Sequence, residues 1–142
     1  MQIKRLLKNA VLPTRGSEYA AGWDLYAALD EPVHIPSHET FKIDTGISVA
    51  IPEHYFGAIY ARSGLSIKRG LRPANCVGVI DSDYRGSIIV ALYNDSDTIQ
   101  TVNPGDRIAQ LVLLKYYDIN LEEVNELDST ERGENGLGST GR

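Results

Sequence analysis

Several things are scarce in this sequence, and each shortage removes a class of function. Across 142 residues there is one cysteine, Cys76. No intrachain disulfide is available, and a reducing compartment such as the cytoplasm is the expected location. No apolar run is long enough for a signal peptide or a membrane span, and the opening "MQIKRLLKNAVLP" is studded with basic residues. His34, His38 and His54 show no metal-ligand spacing with one another or with Cys76, so they read as surface or loop residues. Positive charge is short as well: 14 Lys and Arg against 19 Asp and Glu leave a net charge of -5. That argues against direct binding to DNA or RNA, where a basic face is expected. Helical periodicity is sparse, and no internal repeat is evident.

The composition that remains is that of one soluble domain with a real core, 42% apolar and 23% charged. Nine of the fourteen basic residues are arginine. Guanidinium forks match phosphate and carboxylate oxygens with paired hydrogen bonds, whereas ordinary surface ion pairs account for most arginines in most proteins. An acidic chain with a few focused arginines suits a small polyanion that arrives with a divalent cation.

Short apolar or alternating runs predict strands over 23–28, 41–51, 56–61, 76–80, 87–94, 98–102 and 107–117. Turn-forming stretches such as "DSDYRG", "YNDSD" and "NPGD" separate them. Many short strands at this spacing predict an all-β sandwich, jelly roll or barrel. The one helical stretch is "RSGLSIKRG" (62–70), with Ser63 as the N-cap and Gly70 as the terminator. It is either a connector or the amino end of an anion site beside Arg62. From Asn120 the chain turns acidic and then glycine-rich, which predicts a body over 1–119 and an arm over 120–142.

Five clusters carry polar chemistry. "AGWDLYA" places Asp24 and Tyr26 on one strand face, with Trp23 and Leu25 inward on the other, so Asp24 faces solvent or a cleft. "RPANCVG" offers the Asn75 amide, which can read a base edge or make an Asx-turn. In "GVIDSDYRG", Asp81 follows a buried strand, an arrangement that can raise its proton affinity toward general-base work. The same residues are ordinary turn formers, so a plain hairpin tip is an equal reading. In "PGDRIAQLV", strict alternation sends Arg107 and Gln110 to opposite faces. Gln110 is then assigned to a ligand and Arg107 to a structural or intersubunit ion pair. The last cluster, "RGENGLGSTGR", lacks the lysine of a Walker loop, and by composition alone it is a disordered tail.

Taken together and in order, "AGWDLYA", "ARSGLSIK", "GVIDSDYRG", "GDRIAQLV" and "RGENGLGSTG" closely resemble the five motifs of the trimeric dUTPases. The resemblance runs from about residue 20 to the end of the chain. It implies a β-clip or jelly-roll-like subunit with one short helix and a flexible carboxy-terminal arm, assembled as a homotrimer with shared active sites. The implied reaction is hydrolysis of dUTP to dUMP and pyrophosphate. Asp81 would activate the water that attacks the α-phosphorus. Asn75 and the backbone of Gly78, Val79 and Ile80 would read uracil, and Tyr84 would stack on the deoxyribose. Arg62, Ser63, Gly64 and Gln110 would hold the phosphates. Magnesium would bridge them, touched by Asp24 through water. Arg132, Gly138, Ser139 and Thr140 would close over the nucleotide, with Leu137 covering the base. The usual flap has phenylalanine where Leu137 stands and glycine where Asn135 stands, so a looser closure is expected. Two rivals share the scaffold. A dCTP deaminase would carry a glutamate where this chain has Ala91, and a non-catalytic nucleotide-sensing trimer would carry a degraded site.

Overall fold

The computed structural model describes residues 1–75, 77–134 and 136. Strand-forming sequence dominates it: eleven strands and one short helix, with every strand pairing antiparallel. The main sheet runs β2 (Gly22–Tyr26), β11 (Arg107–Lys115), β6 (Tyr55–Tyr60), β8 (Gly78–Ile80). A second sheet runs β4 (Thr40–Asp44), β9 (Ile89–Asn94), β7 (Leu71–Pro73). Two ribbons complete the body, β1 (Gln2–Arg5) with β5 (Ile47–Ala50) and β10 (Gln100–Val102) with β3 (Val33–Ile35).

Alternation produces the core. Along β9, Val90, Leu92 and Asn94 are buried while Ile89 is exposed, the period of two that a pleated strand imposes. Their apolar side chains join Leu25 of β2, Ile43 of β4, Leu71 of β7 and Leu111 of β11 in one cluster, so both sheets and the ribbons share one interior. Asn94, fully buried, donates to the carbonyls of Ile35, Pro36 and Thr98, which satisfies the amide that burial would otherwise leave unpaired.

Three expectations need correction. The long strand over 41–51 is two strands, because Gly46 sits at φ 65° and turns the chain; a Cβ there would lie 2.8 Å from that of Ala10. The stretch 78–86 is no hairpin: β8 pairs with β6 and β9 pairs with β4 and β7. "DSDYRG" therefore crosses between sheets, as two apolar flanking strands can each find a different partner. Helix α1 (Ser63–Arg69) is capped by Arg62, which makes no side-chain capping bond, so Ser63 is its first residue. Gly70 ends it in the left-handed conformation at φ 67°, as expected. Past β11 no helix or strand is found among the described residues, and Leu121 and Leu127 lie exposed.

Candidate active site

Two clefts gather the polar clusters. The first, about 250 Å³, is lined by Ile59, Pro73, Asn75, Gly78, Val79, Ile80, Asp81, Tyr84, Ser87, Ile89 and Val90. Its floor is apolar because β6, β7 and β9 supply it. Its reading edge is β8, the last strand of the main sheet, paired with β6 on one side only. A sheet edge presents unpaired amides and carbonyls, so Gly78 to Ile80 can pair with a ligand as a further strand would. Gly78 is required there: a Cβ would approach Asn75 Nδ2 to 3.1 Å and Ile59 Cβ to 3.2 Å. Asp81 follows β8 directly and is exposed within one chain. Desolvation of its carboxylate must therefore come from a ligand or another chain, not from the strand beside it. The hydroxyl end of Tyr84 lies against Gly86, where a Cβ would collide with it, and the hydroxyl donates to the Ser87 carbonyl at 3.0 Å.

The second cleft, about 210 Å³, is lined by Gly16, Ala20, Gly22, Asp24, Arg62, Ser63, Gly64, Arg107 and Gln110. Its parts meet because β11 lies between β2 and β6, which places Gln110 opposite Asp24 on one side and Tyr60 on the other. Arg62 and α1 follow β6 immediately. Gln110 donates to the Ala61 carbonyl at 2.8 Å and lies over Gly22, where a Cβ would meet its Oε1 at 2.8 Å.

Of the two settings expected for Asp24, solvent or a cleft, the structure shows the cleft. The residue is 9% exposed, and its two carboxylate oxygens accept from Arg62 Nε at 2.7 Å and Arg107 Nη1 at 3.2 Å. A carboxylate this buried requires such partners. Arg107 makes a structural ion pair, as expected, with Asp24, but it does not lie on the face opposite Gln110. The β2–β11 register shifts by one residue between Arg107 and Ala109, and this bulge brings Arg107 to the cleft that Gln110 also lines. The pocket thus holds two guanidiniums fixed by one carboxylate, a charge pattern suited to a polyanion.

The two clefts share no lining residue. Of the candidate flap residues only Arg132 is described, and it lines neither cleft. Arg132 is exposed, with the Gly133 amide turned back onto Thr130. Leu137, Gly138, Ser139 and Thr140 lie outside the described residues.

A nucleoside-sized apolar cleft with an edge strand, and an arginine pocket apart from it, accord with the sequence comparison. A family profile described as dUTPase matches residues 8–141. The chain belongs to the dUTPase family. The deoxyuridine 5'-triphosphate nucleotidohydrolase of Oryza sativa subsp. japonica is 45% identical over 141 residues, covering 99% of this chain and 80% of its own length. That of rabbitpox virus (strain Utrecht) is 52% identical over 133 residues, covering 94% and 87%. Among solved structures, a variant dUTPase of Staphylococcus bacteriophage 80alpha with dUpNHpp superposes with TM-score 0.89 at 32% identity, over 99% of this chain and 98% of that one. A variant dUTPase from phage phi11 of S. aureus, which reveals coordination of a structural Mg(II) ion, gives TM-score 0.78 at 30% identity over 88% and 96%. The dUTPase fold is thus shared across its length, and no helix among the described residues is long and apolar enough to cross a membrane.

Proposed function

We propose that this dUTPase hydrolyses dUTP to dUMP and pyrophosphate in sites shared between the subunits of a homotrimer. The observation that carries the reading is Asp81 at the end of an unpaired strand edge, inside the apolar cleft and apart from the arginine pocket. Uracil offers an acceptor, a donor and an acceptor along one side, which the backbone of Gly78 to Ile80 and the Asn75 amide complement. Thymine's methyl group does not fit so narrow a slot, and Tyr84 on the sugar leaves no room for a 2'-hydroxyl. The triphosphate then extends into the pocket of Arg62, Ser63, Gly64, Arg107 and Gln110 of a neighbouring subunit. The flap, from Arg132 through Leu137, Gly138, Ser139 and Thr140, covers it. The location proposed with it is the cytoplasm, which a single cysteine suits, and there this activity limits uracil entry into DNA and supplies dUMP for thymidylate synthesis.

In the reaction Asp81 takes a proton from water as that water's oxygen attacks the α-phosphorus. The bond to the β-phosphate's bridging oxygen breaks, and pyrophosphate leaves with that electron pair. Nucleotide binding supplies the dry surroundings that Asp81 lacks in a single chain. Most of the remaining acceleration is positioning and charge neutralisation by the arginines and first-turn amides.

Magnesium is the cofactor of the family, and the residues here fit one carried in by the nucleotide. No group of three or more His, Cys, Asp or Glu side chains forms a cation site among the described residues, and both Asp24 oxygens already accept from guanidiniums. Asp24 would be the residue to hold such an ion, through water, since magnesium prefers few carboxylates and retained waters. When bound it neutralises charge on the triphosphate.

Ala91, at the position where a deaminase carries glutamate, lies half-buried on β9 with no proton-carrying group. A dCTP deaminase is therefore not favoured, and with the arginine pocket and Asp81 both intact, neither is a non-catalytic sensor. The test is pyrophosphate release from dUTP, UTP, dCTP and dTTP, with and without magnesium. Rapid release from dUTP alone, with magnesium, is expected. Ammonia from dCTP, or intact dUTP, overturns the reading.

A further inference from the structure

The segment Asp81–Ile88, which carries both Asp81 and Tyr84, contains no helix or strand. Its internal bonds are local: the Tyr84 amide donates to the Asp81 carbonyl, and Arg85 Nη1 donates to the carbonyls of Ser82 and Tyr84. Among the described residues, its hydrogen bonds to the rest of the chain all end on the corner between β4 and β5. Ser48 Oγ donates to the Arg85 carbonyl at 2.7 Å, and Thr45 Oγ1 donates to the Ile88 carbonyl at 2.8 Å. The Ile88 amide donates to the Ile47 carbonyl at 2.9 Å, and Ser87 Oγ donates to Asp44 Oδ1. That same Asp44 oxygen accepts from the Gly46 amide at 2.7 Å, which fixes the carboxylate on the tight turn.

Four polar side chains are buried in the body: Asp24, Thr45, Ser48 and Asn94. Asp24 holds the phosphate pocket's arginines and Asn94 ties its own loop. The remaining two are the hydroxyls facing the catalytic segment. A buried hydroxyl is costly unless bonded, and alanine or valine fills such a site at less expense in desolvation. Their spacing along the segment is telling: Ser48 grips the carbonyl next to Tyr84, and Asp44 grips Ser87, whose carbonyl receives the Tyr84 hydroxyl.

We infer that the Asp44–Ser48 corner, outside all five resembling motifs, is the positioning element of the catalytic segment. Ser48 and the Asp44–Ser87 pair set the height of the Tyr84 ring over the sugar and the direction of Asp81. They touch no reacting atom, and they act through the backbone of 85–88. The inference rests on the dUTP reading given above.

Its test is Ser48→Ala in the full-length protein, with kcat and KM measured on dUTP and on UTP. A misdirected base lowers kcat on dUTP by about 10-fold. A loosened Tyr84 shrinks the ratio of kcat/KM for dUTP over UTP several-fold. That ratio is independent of how much protein is folded, so a purely structural serine leaves it unchanged. Ser87→Ala, at a half-buried position, breaks the second tie and is expected to shift the ratio the same way if Ser48→Ala does not accumulate. An unchanged ratio in a folded Ser48→Ala, or in Ser87→Ala where that protein is unobtainable, overturns the inference. Wild-type protein inert toward dUTP would instead remove the reading on which it depends.

Discussion

Arg107 shows what one side chain decides. Strict strand alternation set it opposite Gln110 in a structural or intersubunit ion pair; the ion pair is present, with Asp24 at 3.2 Å, but the bulge at Ile108 brings it to the cleft with Arg62 and Gln110. If it grips phosphate, Arg107→Gln raises KM for dUTP by about 10- to 100-fold, the worth of one hydrogen bond to a charged group at 1.5–3 kcal/mol. The substitution also leaves one oxygen of the buried Asp24 without its cationic partner, so a lower melting temperature is expected alongside, and KM is measured on folded protein. Unchanged kinetics would return Arg107 to the structural role. The residue types of this site were legible: Asp81, Tyr84, Asn75, Arg62 and Gln110 stand out by chemistry and line the two clefts. The partners of Asp24 were not, because a lone aspartate on a strand carries no local sign of a guanidinium from 83 residues away.

At the scale of elements, most of the strands were readable from alternation, but their pairing was not. The stretch 78–86 looked like a hairpin because the residues of a turn are the same whether the next strand returns to its neighbour or crosses to another sheet. Strands β1, β3 and β7 escaped notice: Gln2–Arg5 is exposed throughout and lacks a buried face to reveal it, and Val33–Ile35 and Leu71–Pro73, at 3 residues each, are too short to show alternation. The narrow seat of β8 depends on Gly57 of β6, which pairs with Ile80. A Cβ there would stand 2.7 Å from Leu111 Cδ1 and 2.9 Å from Ile51 Cδ1. Gly57→Ala is thus expected to lower stability by about 1–3 kcal/mol through overpacking, read as a shift in the urea midpoint at constant slope. A midpoint equal to that of wild type would mean the interior at β6 is looser than these distances state.

On the scale of the whole molecule, the two clefts have no lining residue in common, which is compatible with the shared sites proposed above. In that proposal one chain supplies Asp81 and a neighbour supplies the arginine pocket. The five-motif resemblance pointed to such sharing, while composition and spacing alone contained nothing about assembly, because contacts between chains leave no periodic mark on a sequence. Complementation measures this directly. Asp81→Asn and Arg62→Gln are each expected to lose most dUTP hydrolysis, about 10²- to 10⁴-fold for removal of the base. If, as proposed, each site takes its two halves from different subunits, co-refolding the two inactive proteins in equal amounts should restore about a quarter of the wild-type pyrophosphate release. Recovery at that level is the result expected here; a mixture as inactive as its parts would show that both halves of the site belong to a single chain.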